Sequence, residues 1–412
     1  MSATSGRSGP DERPVVLVLS GYFREGFETG PTQSLLGMVR ALSDRFRFRV
    51  IAEAVEGDVP GQWSSAYGVD RLPLRRGRFG PIGLRRAMRE TPHQLVMAVS
   101  FFDYRFTILP LALHRLRLVP KSPMLLSPRG EFSAGALSKG RLKKRVYVAL
   151  AKAAGLLRGV ALLATTEMEA RDIRSRLRPS GPIYLSSNIR TVPPLPPHPP
   201  RKPGEPLRIA FLSRIDRMKN LLFAFDVLAE SGVEAEFHIF GGVFHEDYWQ
   251  RCLARIERMP AHVKVVAHGS IPQAKVIETL ARQDLFFLPT LGENFSHAIA
   301  EALLSGTPVL ISDQTPWRRL AERGAGWDLP LSDPGAFVDA VRRFDALSAS
   351  EVQRLREGAR AEAERVLDPE ASARRLEQCL EEVIAGGPSS LRGDARCSSR
   401  PPVAVDGEAP RI

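Results

Sequence analysis

The chain has 412 residues, of which 43% are hydrophobic and 25% charged, so its composition is globular and excludes a disordered or fibrous protein. This length predicts two or three domains, and no stretch approaches the roughly 20 uncharged apolar residues that a membrane span needs. The net charge of +12 is uneven: residues 1–200 carry 31 Lys and Arg against 15 Asp and Glu, whereas residues 201–412 carry 27 against 31.

The basic first half predicts an anionic partner, which would be an acidic membrane surface, a phosphate-bearing substrate or nucleic acid. The alternative is a solvated, arginine-rich surface without a partner. The N-terminus is polar and lacks an apolar signal core, so we expect no secretion. Cys252, Cys379 and Cys397 lie far apart. They have neither disulfide nor zinc spacing, which is typical of a protein of the reducing cytosol.

Residues 1–14 are predicted to be disordered, and residues 15–190 to form the first domain. Within it, short apolar runs alternate with helical patterns, which is typical of a parallel sheet covered by helices on both faces. Strands are predicted at 15–20, 48–54, 94–100, 123–127, 160–165 and 183–187. Helices are predicted at 30–42, 82–90, 106–117, 138–157 and 167–177.

Residues 191–206 contain eight prolines and are predicted to be an extended linker. The second domain, 207–367, repeats the α/β alternation, and a C-terminal helix (368–386) and a disordered tail (387–412) follow it. Its strands are predicted at 207–212, 236–240, 263–267, 285–289 and 308–312. Its helices are predicted at 219–231, 247–258, 273–282, 296–305, 317–323 and 334–345.

Ligands of doubly wound sheets bind at the carboxyl ends of the strands, so a cleft between the two domains is the predicted site. In the second domain a strand runs into a turn with Glu293, and a helix begins near Ser296 and contains Glu301. The first turn of such a helix binds phosphate, and a carboxylate in it can accept hydrogen bonds from a ribose diol. The alternative is that Glu301 lies on a solvent stripe and Glu293 is an ordinary turn residue.

Two cations, Arg214 and Lys219, lie five residues apart in the loop that follows strand 207–212. A guanidinium fork and an ammonium at this position can hold a diphosphate. The alternative is two solvated loop cations. After the next strand, Gly241 and Gly242 allow a ligand to approach the backbone closely.

These residues resemble the C-terminal domain of family 4 glycosyltransferases, which are retaining enzymes of glycosyl transferases group 1. The resemblance implies an α/β protein of the GT-B fold, with two doubly wound Rossmann-like domains facing a central cleft. It covers about 207–347, and Asp313 with Thr315-Pro316-Trp317 also resembles the polysaccharide-assembly branch. The other matching segments are Arg214…Lys219, Gly241-Gly242, 284–289, 293–295, 301–302 and 306–309.

The resemblance implies transfer of a sugar from a UDP- or GDP-linked donor to a hydroxyl of a glycan or lipid-linked acceptor. The pathway it implies is the biosynthesis of exopolysaccharide, capsule or lipopolysaccharide. Arg214 and Lys219 would bind the diphosphate and Glu293 the transferred sugar, and these three are the expected catalytic residues. The expected donor-binding residues are Gly30, Gly241, Asn294, Phe295, Ser296 and Glu301, with Glu301 on the ribose.

The first half departs from the family at one point, because Arg129-Gly130 stands where many members have a histidine near the transferred sugar. Arg129 and Glu131 are therefore candidate contacts to the sugar or the acceptor. The sequence has no Asp-x-Asp motif suited to a metal–diphosphate bridge. We therefore expect metal-independent chemistry without a cofactor, in which the two cations and the start of the helix stabilise the leaving group.

Helix 138–157 carries six Lys and Arg beside apolar residues, and it could rest on anionic lipid. That interpretation places the protein in the cytoplasm, peripherally at the inner face of the plasma membrane; the alternative is a packed helix with one cationic solvent face. Two other functions stay open: a non-catalytic binder of polyanions or nucleic acid, and a nucleotide-sugar epimerase on the same fold. No nucleic-acid-binding module is recognisable, so we expect no nucleic-acid partner.

Overall fold

The structure is a computed structural model that describes residues 12–21, 23, 30–74, 81–133, 136–137, 141–202 and 204–390. Within these residues the chain forms two α/β domains, each built on a largely parallel sheet. The predicted fold class is therefore confirmed. Lys139 of the predicted basic helix, most of the predicted N-terminal disordered segment and residues 391–412 of the predicted tail lie outside the described residues.

The sheet of the N-terminal domain has the order β3-β4-β2-β1-β5-β6-β7-β8 among the described residues. Its pairings are parallel except for the antiparallel β3–β4 hairpin. Because β2 and β5 lie on opposite sides of β1, the strand order reverses there, which is where doubly wound sheets bind ligands. The strands are β1 (Val15–Leu19), β2 (Arg47–Glu53), β3 (Ser64–Ala66), β4 (Val69–Leu74), β5 (Leu95–Val99), β6 (Met124–Ser127), β7 (Val160–Ala164) and β8 (Ile183–Leu185).

Helices cover both faces of this sheet. The helices are α1 (Gly30–Leu42), α2 (Pro81–Glu90), α3 (Leu109–Arg115, after a π-helical turn at Tyr104–Ile108), α4 (Arg141–Ala153) and α5 (Glu167–Leu177). Helices α2 to α5 pack on one face, whereas α1 packs on the other. Leu376, Cys379, Leu380 and Val383, from near the end of the chain, share the core under α1.

The sheet of the C-terminal domain has the order β11-β10-β9-β12-β13-β14 among the described residues, and its recorded pairings are all parallel. The strand order reverses between β9 and β12. The strands are β9 (Leu207–Leu212), β10 (Ala235–Phe240), β11 (Val263–Gly269), β12 (Leu285–Leu288), β13 (Val309–Ser312) and β14 (Gly326–Leu329). The helices are α6 (Leu221–Ser231), α7 (Glu246–Ile256), α8 (Gln273–Ala281), α9 (His297–Leu304), α10 (Pro334–Asp345), α11 (Ala349–Leu367) and α12 (Pro369–Ser390).

Two features connect the domains. The described part of the proline-rich segment 191–206 runs between them without helix or strand. Helix α11 packs on α9 of the C-terminal domain, whereas α12 crosses back and packs on α1 of the N-terminal domain. Helix α12 extends to Ser390, four residues beyond the predicted helix end at 386.

The predicted helix at 317–323 is wrong. The chain forms turns there, because Trp317 N donates to Thr315 Oγ1 and Arg319 has a left-handed φ of 59°, which ends any helical run. Strand β14 follows and was not predicted. No described helix is long and apolar enough to cross a membrane.

Candidate active site

Arg214 and Lys219 lie in the loop at the carboxyl end of β9. Ile215 N donates to Gly242 O at 2.9 Å, so this loop runs beside the backbone that follows β10. Asp216 Oδ1 accepts from Met218 N at 2.8 Å and caps a 3₁₀ turn that ends at Lys219. Arg214 is exposed, and its guanidinium lies 4.7 Å from the centre of the Phe244 ring.

The loop at the carboxyl end of β12 is tied to the β9 loop. Leu291 N and Thr290 Oγ1 both donate to Met218 O, at 2.8 Å and 3.0 Å. The tie brings Lys219 Nζ into contact with Glu293 Oε1. The two side chains are only 14% and 11% exposed, so this is a largely buried ion pair. Two of the three predicted catalytic residues therefore lie together, at the point where the sheet order reverses.

Gly241 must be glycine because the backbone approaches the β9 loop so closely. Its φ is +149°, and a Cβ built at this position would lie 1.8 Å from the carbonyl oxygen of Ser213. The residue that precedes Arg214 therefore packs directly on Gly241. This explains the glycine in terms of fold, and contact with a donor at Gly241 stays a prediction.

Glu301 lies on α9, with 3% of its surface exposed, and it is held by two donors. Arg190 Nη2 donates to Glu301 Oε1 at 2.6 Å, and Gln273 Nε2 donates to the same oxygen at 2.7 Å. The other Arg190 nitrogen contacts His297 Nδ1 at 2.8 Å. Burial, and then the charges of Arg190 and Arg129, hold the pKa of His297 well below its usual value, so this histidine is neutral.

The N-terminal domain contacts the Glu293 loop directly. Asn294 Nδ2 donates to Thr165 Oγ1 at 2.8 Å, directly after β7, and to Glu169 Oε2 at 3.2 Å, in the first turn of α5. Glu169 also accepts from Gly130 N at 2.5 Å. A Cβ on Gly130 would lie 2.3 Å from Asn294 Cβ, so the domains are in close contact at this point.

Phe295 and Ser296 complete this loop. The Phe295 ring packs 5.8 Å from the Trp317 ring, and Trp317 Nε1 donates to Phe295 O at 2.6 Å, so the Phe295 side chain stabilises the loop from the core. Ser296 has a left-handed φ of 61° directly before α9. Strained non-glycine residues of this kind cluster at functional sites.

The predicted contacts of the N-terminal domain occupy different environments. Gly30 begins α1 next to His297, since a Cβ on it would lie 3.0 Å from His297 Cδ2. Arg129, with φ of 55°, donates to Asn188 Oδ1 at 2.6 Å. Glu131 accepts from Ser100 Oγ at 2.5 Å and from Phe102 N at 3.1 Å, so it holds the loop that follows β5. Contact of these residues with a sugar stays a prediction.

A cavity of about 450 Å³ lies between the domains beside the Glu293 loop. Its walls combine apolar groups with both signs of charge, including Met168, Arg171, Phe295, Asp313, Trp317 and Arg318. Such a lining offers both donors and acceptors, which suits a polyhydroxyl ligand better than a purely anionic one. Within the described ranges no group of three or more His, Cys, Asp and Glu is placed to hold a metal ion.

Sequence reasoning missed the side chains that anchor these loops. Arg190 stands directly before the proline-rich segment, and Gln273 begins α8, yet both reach Glu301. A single sequence carries no local signal for either contact, because the partners are 111 and 28 residues apart. The contacts of Asn294 with Thr165 and Glu169 span 129 and 125 residues, and they were likewise not predicted.

The model of the glycosyl transferases group 1 family matches residues 197–362. A phosphatidyl-myo-inositol mannosyltransferase of Mycobacterium leprae is 28% identical over 186 residues, which are 43% of this chain and 47% of that protein. The match therefore spans about half the length of this curated relative.

Solved structures resemble the chain over nearly its whole length. HepE of Anabaena, in complex with UDP and glucose, has a TM-score of 0.69 at 14% identity and covers 90% of this chain and 100% of its own. Sucrose-phosphate synthase from Thermosynechococcus elongatus has a TM-score of 0.73 at 15% identity, with 91% and 100% covered. These likenesses show the fold. Residues 197–362 therefore match the glycosyl transferases group 1 family, and the chain has the GT-B fold.

Proposed function

We propose that the protein is a retaining glycosyltransferase that moves a sugar from a UDP- or GDP-linked donor to a hydroxyl of a glycan or lipid-linked acceptor. The observation that carries the proposal is that hydrogen bonds connect the β9 and β12 loops where the strand order of the second sheet reverses. This joining places Lys219 on Glu293, next to the start of α9. HepE, whose solved structure contains UDP and glucose, has the same fold.

The chain's cations would lower the barrier by stabilising the leaving group. Breaking the anomeric C–O bond leaves negative charge on the diphosphate, and fixed positive groups stabilise such charge without reorganising. Arg214 is exposed at the carboxyl end of β9, and Lys219 is held by its turn. The free N–H groups at the start of α9 add a third positive region.

Glu293 would orient the transferred sugar. A diphosphate bound at Lys219 shares the ammonium with Glu293, whose carboxylate can then accept hydrogen bonds from sugar hydroxyls. The acceptor oxygen attacks the anomeric carbon from the side that the diphosphate leaves, and its proton passes to the leaving phosphate. This route retains configuration and needs no protein nucleophile.

The acceptor would enter between the domains. The 450 Å³ cavity beside Phe295 is lined from both domains, and it offers Arg171 and Arg318 as donors and Asp313 as an acceptor. A glycan hydroxyl needs both kinds of partner. A role in exopolysaccharide, capsule or lipopolysaccharide assembly fits an acceptor of this class.

Donor binding and turnover test the proposal. We expect UDP or GDP, or a sugar conjugate of one of them, to raise the melting temperature. Arg214→Ala should weaken nucleotide binding at least about tenfold, because it removes a charged hydrogen-bond donor. Glu293→Ala should bind the nucleotide and lower turnover at least about 100-fold.

The matched control is Arg217→Ala, in the same turn, because Arg217 is exposed and pairs only with surface Asp247 among the described residues. This variant should behave like wild type. If no nucleotide binds, or if both site variants turn over at the wild-type rate, the proposal is wrong. We also expect EDTA to leave turnover unchanged; loss of activity that Mg²⁺ restores would contradict metal-independent chemistry.

We further propose that α4 rests on an anionic membrane at the cytoplasmic face. Leu142, Val146 and Leu150 are 76%, 48% and 65% exposed, and Lys143 and Arg145 lie between them. Apolar side chains in the interface and cations near anionic lipid both favour binding, at about 1 kcal/mol per cation.

Sedimentation with phospholipid vesicles tests this surface. Wild type should sediment with vesicles that contain phosphatidylglycerol and stay in solution with phosphatidylcholine alone. Lys143→Glu with Arg145→Glu should weaken binding about tenfold or more. The control pair, Arg251→Glu with Arg258→Glu in and just after α7, should bind like wild type; equal losses in both pairs would show net charge alone to be responsible.

A further inference from the structure

Arg190 occupies the junction of three parts of the protein. It follows β8 and directly precedes the linker, and its side chain is only 15% exposed. Its two terminal nitrogens reach different residues of α9, with Nη2 on Glu301 Oε1 at 2.6 Å and Nη1 on His297 Nδ1 at 2.8 Å. The guanidinium therefore hydrogen-bonds to two residues on one face of α9, the helix that follows the Glu293 loop.

The hydrogen-bond directions around His297 follow from Arg190. A guanidinium only donates, so His297 Nδ1 must accept and the ring proton sits on Nε2. Nε2 then donates to Ser34 Oγ at 3.2 Å, and Ser34 Oγ donates to Gly30 O at 3.0 Å. Arg190 thus fixes a chain of contacts that ends in the first turn of α1.

The Arg190 hydrogen bond also determines which carboxylate oxygen of Glu301 is available to a ligand. Arg190 and Gln273 both donate to Oε1, and within the described part of the chain Oε2 has no hydrogen-bond donor. One oxygen is anchored by a charged bond and an amide, so the rotamer is fixed and the other oxygen is left to accept from a ligand. A carboxylate held in this way recognises a diol without first having to order itself.

We propose that Arg190 is a positioning residue for the nucleotide ribose, which holds Glu301 so that Oε2 accepts from the ribose hydroxyls. The proposal rests on the proposed function, because it takes Glu301 as the ribose ligand. Lysine cannot replace this arginine, because a single ammonium on a flexible stem cannot hold both His297 and Glu301 in a fixed geometry.

The test compares UDP with its 2′,3′-dideoxy analogue by calorimetry, or GDP with its analogue if wild type prefers guanine. The ratio of the two Kd values measures ribose recognition alone. Wild type should prefer the ribose form about 10-fold to 100-fold, as expected for hydrogen bonds to a charged group. In Arg190→Met this ratio should fall towards 1, whereas the Kd of the dideoxy analogue should change little.

A matched control comes from Arg201, a linker arginine that also binds the C-terminal domain, through Asp345 at 2.6 Å. Arg201→Met should keep the wild-type ratio. Arg190→Lys should lower the ratio although it keeps the charge, and it serves as the primary variant if Arg190→Met does not fold. Glu301→Gln should lower the ratio, and Arg190→Met should add nothing in that background.

Equal loss of affinity for both nucleotides in the Arg190 variants would show a merely structural role and overturn the inference. An unchanged ratio in these variants, with a lowered ratio in Glu301→Gln, would also overturn it. A wild type that binds neither UDP nor GDP would instead contradict the proposed function, so the two failures are distinguishable.

Discussion

Lys219→Met is expected to lower both stability and turnover sharply. The variant leaves the Glu293 carboxylate, 11% exposed, without its cation, and breaking a largely buried pair costs about 3 kcal/mol. It also removes a positive group from the proposed diphosphate site, so turnover should fall at least about 100-fold. Urea denaturation and single-turnover kinetics measure the two effects.

A second substitution separates the two effects. Lys219→Met combined with Glu293→Gln removes the unpaired charge, so it should recover most of the lost stability and none of the turnover. The surface pair Lys264–Glu236, with side chains 69% and 28% exposed, is the control, and Lys264→Met should cost about 1 kcal/mol or less. Stability that stays low in the double variant would show that Lys219 stabilises the fold in some other way.

Glu169→Ala is expected to destabilise the N-terminal domain by about 3 kcal/mol or more. Glu169 is 2% exposed and accepts from Gly130 N, from Thr165 N at 2.8 Å and from Thr165 Oγ1 at 2.7 Å. Each buried donor left without a partner costs about 1–3 kcal/mol. Turnover should also fall, because the Glu293 loop loses one of the two acceptors that Asn294 contacts.

Two further variants test whether the loss of stability and turnover comes from the buried contacts of Glu169. Glu167→Ala lies in the same first turn of α5 but is exposed, so it should cost well under about 1 kcal/mol. Asn294→Ala removes only the two hydrogen bonds of Asn294 to the N-terminal domain, so this variant should lose turnover with less loss of stability than Glu169→Ala. A Glu169→Ala protein as stable as Glu167→Ala would show that water replaces the carboxylate without cost.

The repeating α/β pattern was predictable because a strand buried on both faces reads as an apolar run. Strand β4 escaped prediction because Val69–Leu74 contains Asp70, Arg71 and Pro73. Arg71 is nevertheless buried, since Asp58 accepts from it at 2.7 Å and the Glu53 carbonyl at 2.8 Å. A strand can contain a buried charge when a partner from another segment neutralises that charge. The local pattern of apolar residues does not reveal such a partner.

The candidate site was predictable to the extent that it lies in loops after strands. Sheet topology places Lys219 and Glu293 at the same edge of the second sheet. Both residues could be predicted as site residues because each follows an apolar run. The contacts of Arg190 and Asn294 depend on how two domains and a linker meet. The arrangement of the two domains and the linker depends on packing between residues more than 100 positions apart. The composition of a single segment therefore cannot predict these contacts.

Because α12 packs back on α1 of the N-terminal domain, the C-terminal domain is inserted, in sequence, into the N-terminal one. Among the described residues, α12 shares one hydrophobic core with the first sheet and α1, although the second domain lies between them in sequence. During synthesis this core stays incomplete until Leu380 and Val383 have been made, by which time all of the second domain has been made. A stop codon just upstream of Pro369 should therefore destabilise the N-terminal domain, although every residue it deletes follows the second domain in sequence.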